Sequence, residues 1–198
     1  HDLGHTPFGH AGEYAMQKCF DADFTHYKQS LRVVELLEND GNGLNLTWEV
    51  RDGIVNHTGK HMASTLEGVI VKYADRIAYI NHDIDDAIRA GILSNEDIPH
   101  AITDALGHRH SVRINTLVTD IITVSREAGA IQLSPQVEKA LKDLRSFMFE
   151  RVYRNPIAKG EESKAKDMLQ RMFEFYIKHP EALPEDFQPQ LSFEGMER

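Results

Sequence analysis

Apolar residues recur at helical spacing along almost the whole chain. The pattern is longest over residues 65–91, where Val69, Ile70, Tyr73, Ile77, Ile80, Ile84 and Ile88 fall toward one side of a helix. Stretches of alternating β-branched residues, which a half-buried strand requires, are nearly absent. The chain is therefore expected to be all-α. Further helices are expected over 11–20, over 28–40 with a stop at Gly41, and over 48–57 with an end near Gly59. Ser94 with Asp97 resembles an N-cap arrangement opening a helix to about Leu106, and 110–128 repeats Ile114, Leu117, Val118, Ile121 and Ile122. Ser134 before Pro135 starts a helix toward Tyr153, and 161–178 forms the last before HPEALPED stops it. One domain over 1–198 is expected, with a loose tail from about 185.

With 41% hydrophobic and 27% charged residues, the 198-residue chain has the makings of a sizeable core, which excludes a disordered polypeptide. No apolar run approaches the length of a membrane span and no secretory signal is seen. The lone Cys19 excludes an internal disulfide and a CxxC zinc module, so any metal must be held by nitrogen and oxygen. That usage fits a reducing cytoplasm, the expected location. A net charge of −9 argues against a broad nucleic-acid-binding face. It leaves room for a small anion held by local cations and a divalent ion. A chain opening on His1 with no Met before it is expected to be a fragment of a longer protein.

The opening HDLGHTPFGHAGE concentrates His1, Asp2, His5, His10 and Glu13 among turn-forming residues, a composition suited to holding metal and moving protons. An HD pair alone is common by chance, and two ligands rarely suffice for an ion. The long helix offers more. Asp75, Tyr79 and Asp83 lie four apart, so at ~100° per residue each step drifts by ~40° and the three share one face over ~12 Å. With Arg76 beside them, that face combines the groups needed to order metal, phosphate, sugar ring and sugar hydroxyl. Taken without the opening motif it reads better as a solvated face with an incidental Tyr. Trp48, Phe147, Phe149, Tyr153, Phe173 and Tyr176 are expected to pack in the core. His57, His61, His108 and His110 are expected to be surface or structural, and Asp85 and Asp86 solvated helix charge.

Five segments in this order, HDLGHTPFGHAGE, FTHYKQSLRVV, GLNLTWEVRDGIVNHTGK, YADRIAYINHDIDDAI and FMFERVYRNP, together resemble the bacterial dGTPase-like deoxynucleoside triphosphate triphosphohydrolases of the HD-domain superfamily. The resemblance spans most of the chain. It implies an HD-domain helical bundle with additional C-terminal helices. It also implies that His1, Asp2 and Asp75 are three of four metal ligands, the first His of the family's H...HD...D pattern lying upstream of this sequence. The metal site of the chain as written is then incomplete, and the fragment itself weak or inactive. By the same resemblance, His10 and Glu13 form a dyad near the α-phosphate, with His10 the leading acid/base candidate. His26 joins that catalytic cluster and His5 lies by the phosphates. Arg76 is placed on the phosphate chain, Tyr79 against the deoxyribose and Asp83 on the 3′-hydroxyl.

The implied reaction is hydrolysis of dGTP or other deoxynucleoside triphosphates at the α-phosphorus, giving deoxynucleoside and intact triphosphate. The implied cofactor is a divalent ion: Mg, Mn or another first-row metal. No Walker-type glycine loop is present to grip the β- and γ-phosphates. The alternatives are another HD phosphohydrolase, acting on nucleoside monophosphates or a signalling nucleotide, or a nucleotide-binding regulatory module without turnover. Assembly into homo-tetramers or hexamers is suggested by the resemblance.

Overall fold

The computed structural model describes residues 1–187. These are helical with no strand among the described residues, so the protein is all-α. The chain divides into two compact units, one of residues 1–55 with the chain from 160 onward, the other of residues 56–159. Residues 185–187 form a 3-10 turn, and the rest of the expected tail lies outside the described residues. No helix is long and apolar enough to cross a membrane.

The second unit holds the large apolar core. Its spine is α4 (Leu66–Arg89), whose Thr65 cap accepts a hydrogen bond from the Gly68 N–H at 3.2 Å. Ile77, Ile80, Ile84 and Ala87 bury one face of α4. They join residues of α5 (His100–Leu106), α6 (His110–Ala128) and α7 (Pro135–Met148), among them Leu106, Leu117, Leu141, Leu144 and Met148, all at 0% exposure. One cation lies in this core. Arg113, 1% exposed, donates from Nε to Asn81 Oδ1 at 3.0 Å and from Nη1 to the His108 carbonyl at 3.3 Å. These two bonds to oxygen offset part of the cost of burying the guanidinium.

Two expectations are corrected here. Ser94 and Asp97 do form a capping box, but on the 3-10 turn Asn95–Asp97 rather than on a helix reaching Leu106. Pro99 drives the preceding Ile98 into extended backbone, at φ −72° and ψ 124°, and α5 begins afresh after it. The aromatic core is also smaller than its spacing suggested. Trp48, at the first position of α3 (Trp48–Asn56), is 59% exposed, and Phe149 is 50% exposed. Phe149 opens a π-helical turn, Phe149–Tyr153, which shifts the helical register. There its ring meets Tyr153 edge-on and carries the Arg154 guanidinium at 4.8 Å.

In the first unit, α1 (His10–Cys19) and α2 (His26–Arg32) follow the opening loop, and α2 runs on through a π-helical turn, Val33–Leu37. The expected helix over 28–40 ends early because Glu38 is extended and Asn39 and Asp40 are left-handed. The last long helix, α8 (Pro156–Lys178), starts earlier than its sequence pattern. From it Phe173 packs on Phe20 at 5.8 Å, and Lys166 sits 4.9 Å from the Tyr14 ring centroid. The opening loop is pressed onto α2. The Gly4 N–H donates to Ser30 Oγ at 3.0 Å, and a Cβ on Gly4 would lie 2.1 Å from the Ser30 backbone nitrogen. Phe8 and Gly9, both at positive φ, then turn the chain into α1.

Candidate functional site

The first unit gathers the early imidazoles. His5 stacks on His26 at 4.5 Å between ring centroids, and His10 meets the two edge-on at 5.9 and 6.1 Å. His10 is exposed, whereas His26 is buried. Glu13 binds His26 twice, its Oε2 lying 2.7 Å from the backbone N–H and 2.6 Å from ring Nδ1. Its hydrogen bonds thus go to His26 rather than to His10, the partner that the resemblance implied. The reason is local. His26 is the first residue of α2, and Thr25 before it makes no side-chain cap, so an orphan N–H and the positive end of a helix face the carboxylate.

Burial works to raise the Glu13 pKa, but the backbone and ring hydrogen bonds from His26 outweigh it and hold the carboxyl below its usual range. The carboxylate is therefore ionised and accepts only, so His26 Nδ1 carries the proton and Nε2 is the basic nitrogen. His5 is pushed down by burial, aided by the neighbouring His26 and His10. Within the same unit His1 Nε2 lies 3.3 Å from Asp2 Oδ2, and Asp2 and His26 offer ligand atoms within 4.8 Å of each other.

The second unit carries the other expected residues along α4, with Asp75, Arg76, Tyr79 and Asp83 half-buried. Two residues placed in bland roles by sequence stand with them. His57 is 2% exposed and presents a ligand atom within 4.8 Å of one from Asp75. The Tyr153 hydroxyl donates to Asp83, and burial together with that carboxylate drives the phenol pKa far up, so it stays a donor. Neither had a signal in spacing. Tyr153 reaches Asp83 across 70 positions, and His57 meets Asp75 from a segment preceding the helix. Two further imidazoles meet carboxylates: His110 Nδ1 lies 2.6 Å from Asp85 on α4, and His108 3.8 Å from Asp104. Asp86 is exposed beside Arg89, as solvated helix charge.

In each unit the donors are imidazole nitrogen and carboxylate oxygen, a set that fits a divalent first-row ion. The sequence of residues 1–80 matches the family model described as HD domain. Residues 131–198 match that of the phosphohydrolase-associated domain. The chain thus carries an HD domain over residues 1–80. It is 48% identical over 198 residues, all of its length, to a deoxyguanosinetriphosphate triphosphohydrolase-like protein of Caldanaerobacter subterraneus subsp. tengcongensis, covering 58% of that relative. A protein of the same name from Clostridium tetani is 45% identical over 99% of this chain and 59% of its own length. Another, from Desulfatibacillum aliphaticivorans, is 42% identical over 92% and 56%. The chain thus spans less than two thirds of these relatives.

Proposed function

We propose that the protein hydrolyses deoxynucleoside triphosphates, dGTP among them, to deoxynucleoside and intact triphosphate. The observation that carries this reading is the cluster of three imidazoles anchored by the Glu13–His26 pair, inside the segment that matches the HD domain. His1, Asp2 and Asp75 are its ligands to a divalent cation. When bound, that ion contributes neutralisation of charge on the phosphoryl oxygens.

The chain's own residues supply the rest. Glu13 fixes the ring of His26 and so the geometry of the cluster around it. His10, exposed beside that pair, protonates the departing 5′-oxygen, and His5 donates to the phosphates. On α4, Arg76 binds the phosphate chain, Tyr79 packs under the deoxyribose, and Asp83, oriented by Tyr153, accepts from the 3′-hydroxyl. A ring packed under the sugar leaves little room for a 2′-hydroxyl, which favours deoxynucleotides. The active form is a homo-oligomer, a tetramer or hexamer, in the cytoplasm.

The test uses the full-length protein with each deoxynucleoside triphosphate in Mg²⁺ or Mn²⁺, its products separated by anion-exchange chromatography. Free tripolyphosphate is expected, and His10→Ala is expected to lower its release by about 10²–10⁴-fold. Orthophosphate or pyrophosphate as the first product, or binding without any product, overturns the reading.

A further inference from the structure

The side chain of Lys72 leaves α4 one turn before Asp75 and ends among main-chain carbonyls of the preceding segment. Its Nζ lies 3.3 Å from the oxygen of Asn56, 3.2 Å from Thr58, 2.9 Å from Gly59 and 2.5 Å from His61. Four carbonyls turned inward on one ammonium resemble the coordination of a monovalent cation, and they bracket His57 on both sides. Beyond Asn56 the segment is neither helix nor strand. It follows the end of α3 and turns at Gly59, whose φ is +74°. Burial lowers the pKa of Lys72, with Arg76 adding repulsion, so the ammonium stays there because the carbonyls hold it.

We propose that Lys72 is a positioning residue for the metal site: by binding these carbonyls it clamps residues 56–61 onto α4 and holds the buried His57 ring beside the Asp75 carboxylate. A ligand's neighbour fixes its orientation and basicity, and loss of such support typically weakens metal binding by about 10–100-fold. The inference rests on the proposed reading of Asp75 as a metal ligand. A hydrophobic stem without the charge cannot gather the carbonyls, whereas a small free ammonium entering the same cage can.

The experiment compares full-length wild type, Lys72→Ala and Lys72→Met. Mn²⁺ affinity is read from the magnetic resonance signal of free Mn²⁺, and triphosphate release is measured in parallel. Circular dichroism reports helix content. Lys72→Ala is expected to bind Mn²⁺ at least about tenfold more weakly with its helices intact. Propylammonium, which replaces the deleted stem and charge, restores the affinity, and tetramethylammonium at equal ionic strength does not. Lys72→Met, its cage blocked by the thioether, is weakened and stays so in propylammonium. The inference is overturned if either variant binds Mn²⁺ within twofold of wild type, if propylammonium fails to restore Lys72→Ala, or if both variants lose their helices and propylammonium does not recover them. Mn²⁺ binding that depends on Lys72 in a wild type releasing no triphosphate sinks the hydrolase reading alone. Triphosphate release by a wild type whose Mn²⁺ affinity ignores Lys72 sinks this inference alone.

Discussion

Glu13 and His26 show how one carboxylate can serve two physical ends. It satisfies an orphan N–H at the start of α2 and fixes the tautomer of a buried ring. Both uses require its charge, and this sets the acid limit of the first unit. The Glu13 carboxyl is held below its ordinary value of 4.5, so its stabilisation is complete above that pH and fades as pH falls through the lowered value. His5 is likewise depressed from 6.5. The unfolded chain then binds its proton more readily than the folded one, and stability declines as pH drops below 6.5. Melting temperature is therefore expected to fall from about pH 6.5 downward, and Glu13→Gln to remove the part of the fall below about pH 4.5. A melting profile flat from pH 6.5 to 4.5 argues against the His5 assignment, and one whose fall below pH 4.5 is unchanged in Glu13→Gln against that of Glu13. At this scale the sequence was partly legible. The residue types at positions 5, 10, 13 and 26 announced proton chemistry, but the partner of Glu13 depended on where α2 begins in space.

Among the elements, α4 was the most readable. A 24-residue helix with buried Ile77, Ile80 and Ile84 follows from a period that nothing interrupts, and its cap residue Thr65 stands where the pattern starts. Boundaries failed where proline or a π-helical turn intervened, as at Pro99 and Phe149, since periodicity carries no information on register slips. The opening loop depends on exclusion rather than attraction. A methyl group at position 4 meets the α2 backbone, which cannot give way as a flexible side chain can. Gly4→Ala is expected to destabilise the protein by about 1–3 kcal/mol through overpacking, with Gly91→Ala, which has open space but positive φ, as a comparison for backbone strain alone. Chemical denaturation of the two variants separates the effects. Equal losses would remove the steric account.

For the whole molecule, apolar packing and chemistry are distributed unequally. The buried cluster of aliphatic residues belongs to 56–159, whereas all four catalytic candidates, His5, His10, Glu13 and His26, are tied together by polar and ring contacts within residues 1–55. Sequence composition showed that a core exists but not this partition, because hydropathy sums over both units. Removal of the divalent ion tests the chemistry without touching the core. Chelation is expected to abolish triphosphate release and lower the melting temperature, since an ion bound only by the folded state stabilises it, while helix content at 25 °C stays unchanged. A melting temperature insensitive to chelator and to added Mn²⁺ contradicts a ligand set held in the folded protein. The contact between Gly4 and Ser30 has a consequence for how such a loop can change over generations. Its path is dictated by a collision of main chains, not by the imidazoles it displays, so those rings can be swapped singly while the track beneath them stays put, and new reactivity can be tried without rebuilding the scaffold.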